Sequence, residues 1–220
     1  MEIFSVLKYT FKSFYENLFK MVLLGITWFL ISFFLLFIAF FAVSTGWYIL
    51  LIIPLLFLGP LFLTAVYGCN QLLEYQEFSI KVLFGHFKNN FWRGFFVFFI
   101  SIIIYAVFII DLRFFLLKGQ ENLWLLAFAF LFAYLLIYFT IYQAYLWALL
   151  VIQEDKSLKD IFKNALIISL DNIIFSLFWF LFIFLITTFL ALIGIGIPAA
   201  FIGIIGILIL KGSKEMLAKY

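Results

Sequence analysis

The longest uncharged stretch of the chain, residues 21–73, reads MVLLGITWFLISFFLLFIAFFAVSTGWYILLIIPLLFLGPLFLTAVYGCNQLL. It lies between Lys20 and Glu74 and covers 53 residues. A helix needs about 20 predominantly apolar residues to cross a bilayer, so this stretch is long enough for two spans. Ser44-Thr45-Gly46 favours a turn in its middle. The stretch therefore predicts two membrane spans, at residues 21–43 and 47–67.

A cleaved signal peptide is the main alternative for the first span, because Ala42-Val43-Ser44 resembles a small-residue cleavage site. The apolar stretch before it covers 23 residues, whereas the apolar region of a signal peptide covers about 7–15. We therefore interpret residues 21–43 as a span. Pro54 and Pro60 fall in the second span and predict a kink there, since neighbouring helices satisfy the carbonyl groups that a proline frees.

The composition extends this interpretation to the whole chain. Hydrophobic residues make up 68% of its 220 residues and charged residues 11%, against about 45–50% and 25% in soluble domains. Charged residues delimit further spans at 94–110 and 122–153. The uncharged stretch 172–210 is broken at Gly194-Ile195-Gly196-Ile197-Pro198, which gives a span at 172–193 and a short last span up to Lys211. The 94–110 span is short, and Arg93 can lengthen it by snorkelling. The sequence thus predicts an all-α integral membrane protein with six transmembrane helices in one domain, residues 1–220.

Lysine and arginine are distributed unevenly between the two sides of these spans. Twelve of the 14 lie before span one, after spans two and four, or after span six, and only Arg113 and Lys118 lie on the other side. Positively charged residues of short loops stay in the cytoplasm. The sequence therefore predicts that both termini are cytoplasmic.

Three of the basic segments resemble one another. The segment from Leu7-Lys8 to Asn17 matches the one from Ile80-Lys81 to Asn90 at an offset of 73 residues, and Leu158-Lys159 begins a weaker third copy. Two spans follow each copy. We therefore predict three parallel repeats, at residues 1–73, 74–151 and 152–220, each an interfacial amphipathic helix plus a helical hairpin. The alternative is that juxtamembrane amphipathic helices resemble one another without any repeat.

The segments 79–91 and 157–171 carry apolar residues at helical spacing, with lysines off the apolar stripe. Ser79 and Ser157 are placed to cap these helices by accepting a backbone N–H bond. Such helices lie in the membrane interface with their lysines near anionic headgroups. We predict contacts to headgroups or to a partner protein from four lysines: Lys81, Lys88, Lys159 and Lys163.

The pattern resembles the YesL family of bacterial membrane proteins, which carry a domain of unknown function. The matching residues are Gly59-Pro60, Thr64-Ala65, Tyr67, Phe84, Phe87-Lys88, Asn90-Phe91, Gly94, Asp111 and the helix from Leu158-Lys159 to Asn172. Leu61-Phe62-Leu63 departs from the family, which usually has several small residues after Gly-Pro. Family members often occur beside genes for carbohydrate importers and glycoside hydrolases, so the resemblance implies a link to sugar uptake and a location in the bacterial cytoplasmic membrane.

The sequence contains no catalytic set and predicts no enzyme. His86 is the sole histidine, so a typical zinc site has too few ligands, and we interpret His86 as an incidental residue on a polar helix face. Cys69 falls in an apolar stretch and is interpreted as a buried, inert thiol. A glycine-rich phosphate loop is missing, as are basic runs typical of nucleic-acid binding. We expect no cofactor, no metal and no nucleic-acid partner.

Carboxylates give little indication of a site. Glu74 and Glu77 end span two and are expected to face water, without a cleft for acid–base chemistry. Asp111 and Arg113 are expected to pair at the outer rim of span three.

Polar side chains within the spans are the best candidates for a binding site. Asn70 and Gln71 lie near the inner end of span two, and Gln143 lies in span four. Helix–helix hydrogen bonding is the favoured interpretation of these groups, and the alternative is a groove for a polar ligand. Tyrosines at helical spacing share span four with Gln143 and are candidates for the same lining: Tyr134, Tyr138, Tyr142 and Tyr145. Small residues of the last span, Ala199, Gly203 and Gly206, predict close helix packing.

Two functions from different classes fit the sequence. The first is an accessory or assembly subunit linked to carbohydrate uptake, with the lipid bilayer and a membrane transporter complex as partners. The second is a small-solute transporter or channel, which a continuous polar pathway through the bundle would favour.

The predicted topology has a direct test. Reporter tags at either terminus should be found in the cytoplasm, and a cysteine placed in the 111–122 segment should react with an impermeant reagent from outside. A terminus found outside would contradict the even number of spans.

Overall fold

A computed structural model describes residues 3–75, 79–120 and 122–219, and these residues form helices joined by short turns. The predicted residue Glu77 lies outside the described residues. Within those ranges the chain forms nine α-helices, with a short 3-10 helix, Tyr48–Leu51, before the third. Their bounds are α1 Ile3–Glu16, α2 Leu18–Thr45, α3 Ile52–Tyr75, α4 Ile80–Asn89, α5 Phe91–Gly119, α6 Leu123–Ile152, α7 Leu158–Asp171, α8 Ile173–Leu192 and α9 Gly196–Leu217.

Six of these helices are long and apolar enough to cross a membrane, α3 together with the 3-10 helix before it. The all-helical fold with six candidate spans is therefore confirmed for the described residues, and the chain is a multi-pass membrane protein. The predicted turn at Ser44-Thr45-Gly46 is also confirmed. Helix α2 ends at Thr45, and Gly46 follows with a φ of 76°, which glycine adopts without the strain of a Cβ.

Helix α5 differs most from its predicted span. It covers 29 residues, Phe91–Gly119, rather than 94–110, so it needs no lengthening by a snorkelling Arg93. Asp111 and Arg113 lie within this helix, two positions apart. Side chains at that spacing do not face each other on a helix, and the described residues show no ion pair between them, so the predicted pairing is wrong.

A short helix precedes each pair of long helices: α1 before α2 and α3, α4 before α5 and α6, and α7 before α8 and α9. Segments 79–91 and 157–171 are thus short helices, as predicted. The Ser157 hydroxyl caps α7 by accepting a hydrogen bond of 3.2 Å from the Asp160 N–H. Ser79 occupies the equivalent position before α4, but its side chain makes no capping hydrogen bond, so that cap was wrongly predicted.

Helices α3, α6 and α9 contact one another and form the inside of the bundle. Helix α9 is also in contact with α1, α2 and α8, and most of its residues from Ile202 to Leu210 are buried. The short helices pack in a cyclic order, α4 on α3, α7 on α6 and α1 on α9. Three equivalent units would produce this order, and the superposition of residues 1–73, 74–151 and 152–220 stays a prediction.

Two seams between outer and inner helices depend on glycine. A Cβ on Gly94 of α5 would lie 2.7 Å from the Pro60 Cα of α3, and a Cβ on Gly59 would collide with the carbonyl oxygen of Gly94. A Cβ on Gly25 of α2 would lie 3.0 Å from the Pro198 carbonyl oxygen of α9. Each seam therefore joins a glycine of an outer helix to the backbone beside a proline of an inner helix.

The prolines of α3 are accommodated differently. Pro54 lies in the first turn of the helix, where a missing N–H breaks no helical hydrogen bond. Pro60 lies inside the helix, at the contact with Gly94.

The predicted role of small residues in α9 is confirmed, because a Cβ on Gly203 would lie 2.7 Å from the Phe14 ring and one on Gly206 would lie 2.7 Å from Cys69 Sγ.

Replacing Gly94 by alanine tests the seam between α3 and α5. The added methyl group meets backbone atoms of Pro60, which cannot rotate away, so we expect a loss of stability of about 1–3 kcal/mol. The matched control is Gly85→Ala in α4, where nothing lies within 4 Å of the added Cβ. Thermal unfolding in one detergent should show a lower midpoint for Gly94→Ala alone, and equal midpoints for both variants would contradict the seam.

Candidate functional site

A polar pocket opens where the carboxyl-terminal parts of α3, α6 and α9 meet. Its cavity volume is about 320 Å³. The residues that line it are Tyr67, Asn70, Gln71, Glu74 and Tyr75 of α3, Val151 and Ile152 of α6, Glu154 and Asp155 of the following turn, and Lys214 of α9. The pocket thus lies at the end of the bundle that carries the basic segments, and we call it the basic-end pocket.

Lys214 joins α9 to α3 across the pocket. Its Nζ donates a 2.8 Å hydrogen bond to Asn70 Oδ1 and a 2.5 Å hydrogen bond to Glu74 Oε1. The Lys214 and Glu74 side chains are 33% and 42% exposed, so solvent screens the ion pair and its net contribution to stability is small. Its main consequence is geometric, since it fixes the ammonium group beside Asn70. Glu74 is exposed, as expected, but it also lines a pocket, so the expectation that no cleft lies there is wrong.

His86 of α4 lies behind the pocket, where it contacts two of the lining residues, Tyr67 and Glu154. Its ring stacks on Tyr67 with a centroid distance of 3.8 Å, and its Nε2 lies 3.1 Å from Glu154 Oε1. Gln71 Nε2 donates a 2.6 Å hydrogen bond to the Tyr67 hydroxyl. His86 is buried, so the interpretation as an incidental residue on a polar face is wrong. The reason is that α4 packs against α3, and His86 lies between α3 and the turn after α6.

Arg93 of α5 holds the turn that carries two of the pocket carboxylates. One guanidinium nitrogen donates to the carbonyl oxygen of Glu154, and the other donates a 2.8 Å hydrogen bond to the carbonyl oxygen of Lys156. A second contact comes from α7, where Asn164 Nδ2 donates a 2.9 Å hydrogen bond to Gln153 Oε1. The Arg93 bonds hold the backbone at Glu154 and Lys156, and the Asn164 bond ties the Gln153 side chain to α7, so the turn is anchored to two neighbouring helices.

Two of the predicted polar residues, Asn70 and Gln71, line this pocket. Gln143 faces α5 instead, where its Nε2 donates a 2.7 Å hydrogen bond to Ser101 Oγ. Tyr138 faces α7, with its hydroxyl 2.8 Å from Ser169 Oγ. The candidate lining residues therefore do not share one groove.

The other tyrosines of α6 point toward their neighbours in the same way. The Tyr142 hydroxyl donates a 3.4 Å hydrogen bond to the Phe162 carbonyl oxygen of α7, and the Tyr145 hydroxyl lies 2.7 Å from Ser176 Oγ of α8. Tyr134 is exposed and stacks on Tyr138. The contacts of Tyr142 and Tyr145 are helix–helix hydrogen bonds, the interpretation that the sequence favoured, whereas Tyr134 only stacks within α6.

The four candidate contact lysines lie on the surface of α4 and α7. Lys81, Lys88, Lys159 and Lys163 are exposed, and the described part of the chain offers none of them an ion pair. The buried positions Ile161, Ala165 and Ser169 of α7 follow the predicted apolar stripe. The ammonium groups of these lysines are therefore available to groups outside the chain.

Metal binding is not indicated among the described residues, which contain no group of three or more His, Cys, Asp or Glu side chains suited to an ion. The chain was also compared with protein-family models, with curated protein sequences and with solved structures, and none of the three comparisons finds a match.

Arg93→Lys tests whether Arg93 holds the turn after α6. Lysine keeps the charge and the trypsin site but cannot reach two carbonyl oxygens with a rigid fork. Losing one of these bonds costs about 1–3 kcal/mol locally, so tryptic cleavage after Lys156 should become faster. Mass spectrometry of timed digests identifies that cut, and Arg113→Lys at the opposite end of α5 is the control. An unchanged cleavage rate would contradict this role.

Proposed function

We propose that the protein is a non-enzymatic accessory or assembly subunit of the bacterial cytoplasmic membrane, linked to carbohydrate uptake, with both termini and the basic end in the cytoplasm. The link to carbohydrate uptake and the bacterial location come from the resemblance to the YesL family in sequence. The further argument for an accessory role comes from the packing of the inner helices and from the surface of the short helices.

The apolar packing of α3, α6 and α9 above the basic-end pocket is the observation that supports this proposal most directly. Moving away from the pocket along α3, α6 and α9, the side chains that face the inside are apolar and almost fully buried. They are Leu63 and Val66 of α3, Leu146 and Leu149 of α6, and Ile207 and Leu208 of α9. Conduction of a polar solute needs polar groups or water along the path, and tightly packed apolar side chains supply neither. This core supports an accessory role over transport by the protein alone.

The proposed orientation of the protein in the membrane follows from the basic residues that lie at one end of the helix bundle. Lys214 pairs with Glu74, Arg93 binds carbonyl groups of the turn after α6, and Lys219 donates to Asn172. These contacts support the proposal that the basic segments share one end of the bundle. Short loops rich in lysine and arginine stay in the cytoplasm, so we assign this end to the cytoplasmic side.

The surface for a partner is the pair of short helices α4 and α7. Their four exposed lysines lie beside apolar faces, which suits an acidic surface of a membrane complex or the anionic headgroups around it. The lipid bilayer itself covers the outer faces of the six long helices, because apolar side chains are exposed along them.

Charge reversal tests the partner surface. Changing Lys81, Lys88, Lys159 and Lys163 to Glu should weaken association with the partner in part, by about 1 kcal/mol for each lysine where attraction to headgroups is the main term. The measurement is quantitative mass spectrometry of proteins that co-purify from native membranes. Arg113→Glu, an exposed basic residue of α5 away from the basic end, is the charge-reversal control. Equal recovery of partners with the quadruple variant and the control would contradict the proposal.

Reconstitution tests the alternative, a small-solute transporter or channel. Purified protein in proteoliposomes should leave the permeability to sugars and ions at the level of empty liposomes, because the apolar core offers no polar path. Flux of a sugar or an ion through the purified protein alone would overturn the accessory role and favour the transporter.

A further inference from the structure

Acidic side chains outnumber basic ones in the lining of the basic-end pocket. Glu74, Glu154 and Asp155 contribute carboxylates to its lining, and Lys214 contributes an ammonium group. The Lys214 ammonium group donates a hydrogen bond to Glu74. The remaining carboxylates, Glu154 and Asp155, lie on the turn after α6, across the cavity from α3 and α9. One wall of the pocket is therefore acidic, although the surrounding end of the bundle is basic.

Two side chains, His86 and Arg93, lie behind this acidic wall. His86 Nε2 lies against one oxygen of Glu154, so the second oxygen of that carboxylate is left for another donor. Arg93 donates to main-chain carbonyl groups of Glu154 and Lys156, so its donors are directed at the backbone and not at the pocket carboxylates. Asp155 is exposed, and the described chain offers it no hydrogen-bond or ion-pair partner.

The opposite wall presents donors. The Asn70 side chain is 8% exposed, and its Oδ1 accepts from Lys214. Because Lys214 donates there, the remaining amide group of Asn70 is the Nδ2 donor, and it makes no hydrogen bond in the described structure. This donor belongs to a side chain that lines the cavity, so a molecule bound there can reach it. A ligand oxygen would supply the missing acceptor.

Taken together, we propose that the basic-end pocket binds a small primary amine that also carries hydroxyl or carbonyl oxygens. Its ammonium group lies against Glu154 and Asp155, and an oxygen accepts from Asn70 Nδ2. The backbone of the acidic wall needs little rearrangement on binding, because Arg93 already holds it, and Lys214 holds Asn70. This ligand site goes beyond the accessory role, and binding without flux is compatible with it.

A pair of probes of the same shape tests the need for the ammonium group. Glucosamine carries an ammonium group where glucose carries a hydroxyl group, and both fit a cavity of about 320 Å³. Isothermal titration calorimetry of the full chain in lipid nanodiscs should be performed in an amine-free buffer. Glucosamine should bind at least tenfold more tightly than glucose, since hydrogen bonds between charged groups are the stronger ones.

Variants assign the binding to this pocket. Glu154→Gln combined with Asp155→Asn removes both charges while keeping the side-chain shapes, and should weaken glucosamine binding about tenfold or more. Asp111→Asn, an acidic residue of α5 outside the pocket, should leave binding unchanged. Asn70→Leu should weaken glucosamine binding as well, since it removes the donor.

The outcomes divide cleanly. Equal binding of glucose and glucosamine, or binding that the double variant does not weaken, would overturn the proposal, and so would no detectable binding of glucosamine. Because the proteoliposome assay measures flux and not binding, a failure of the ligand site and a failure of the accessory role are distinguishable.

Discussion

Close backbone contact between outer and inner helices is the interaction on which the rest of this structure depends. In a bilayer the hydrophobic effect does not drive one helix against another, because lipid tails are as apolar as leucine side chains. Van der Waals contact must supply the attraction, and glycine lets two backbones approach. Gly94 meets Pro60 between α5 and α3, and Gly25 meets Pro198 between α2 and α9. These two seams bring α3 and α9 to the inside of the bundle.

The third outer helix, α8, contacts the inner helix α6 without a glycine. Helix α8 makes few contacts with α6, and neither helix contains a glycine. Their contact is concentrated at Tyr145, whose hydroxyl lies 2.7 Å from Ser176 Oγ and whose ring centroid lies 4.7 Å from that of Trp179. A bulky hydrogen-bonded pair thus takes the place of close backbone approach. The three short helices then pack on the inner helices, and α4 brings His86 to the basic-end pocket.

Much of the fold was predictable because lipid imposes a strong rule on sequence. Long uncharged stretches predicted six spans, and Ser44-Thr45-Gly46 located the first turn, although α2 continues through Thr45 and the turn itself is at Gly46. Helix α5 was underestimated because Asp111 and Arg113 were treated as its end, whereas the helix continues past both. Charged residues delimit the apolar core of a span but not the helix, since exposed ends carry charge readily.

The basic-end pocket was predictable only in part. Asn70 and Gln71 were identifiable, because polar residues within an apolar span are unusual. Glu154, Asp155 and Lys214 were not, since they lie in charged segments far from Asn70 in sequence and only the packing of α6 and α9 against α3 unites them. His86 was misinterpreted for the same reason. Its position on a short amphipathic helix gave no indication of the helix face that packs against Tyr67.

The inner bundle is closed above the pocket by apolar side chains, and Cys69, the sole cysteine of the sequence, reports on this packing directly. Cys69 immediately precedes the pocket residue Asn70 and is fully buried. Its Sγ donates to the carbonyl oxygen of Ile202 at 3.3 Å. The measurement is the rate at which a small maleimide labels Cys69 in nanodiscs, followed by intact mass. We expect no labelling of the folded protein and full labelling after denaturation in SDS. Rapid labelling of the folded protein would show that water reaches the inner helices, and would contradict the closed core.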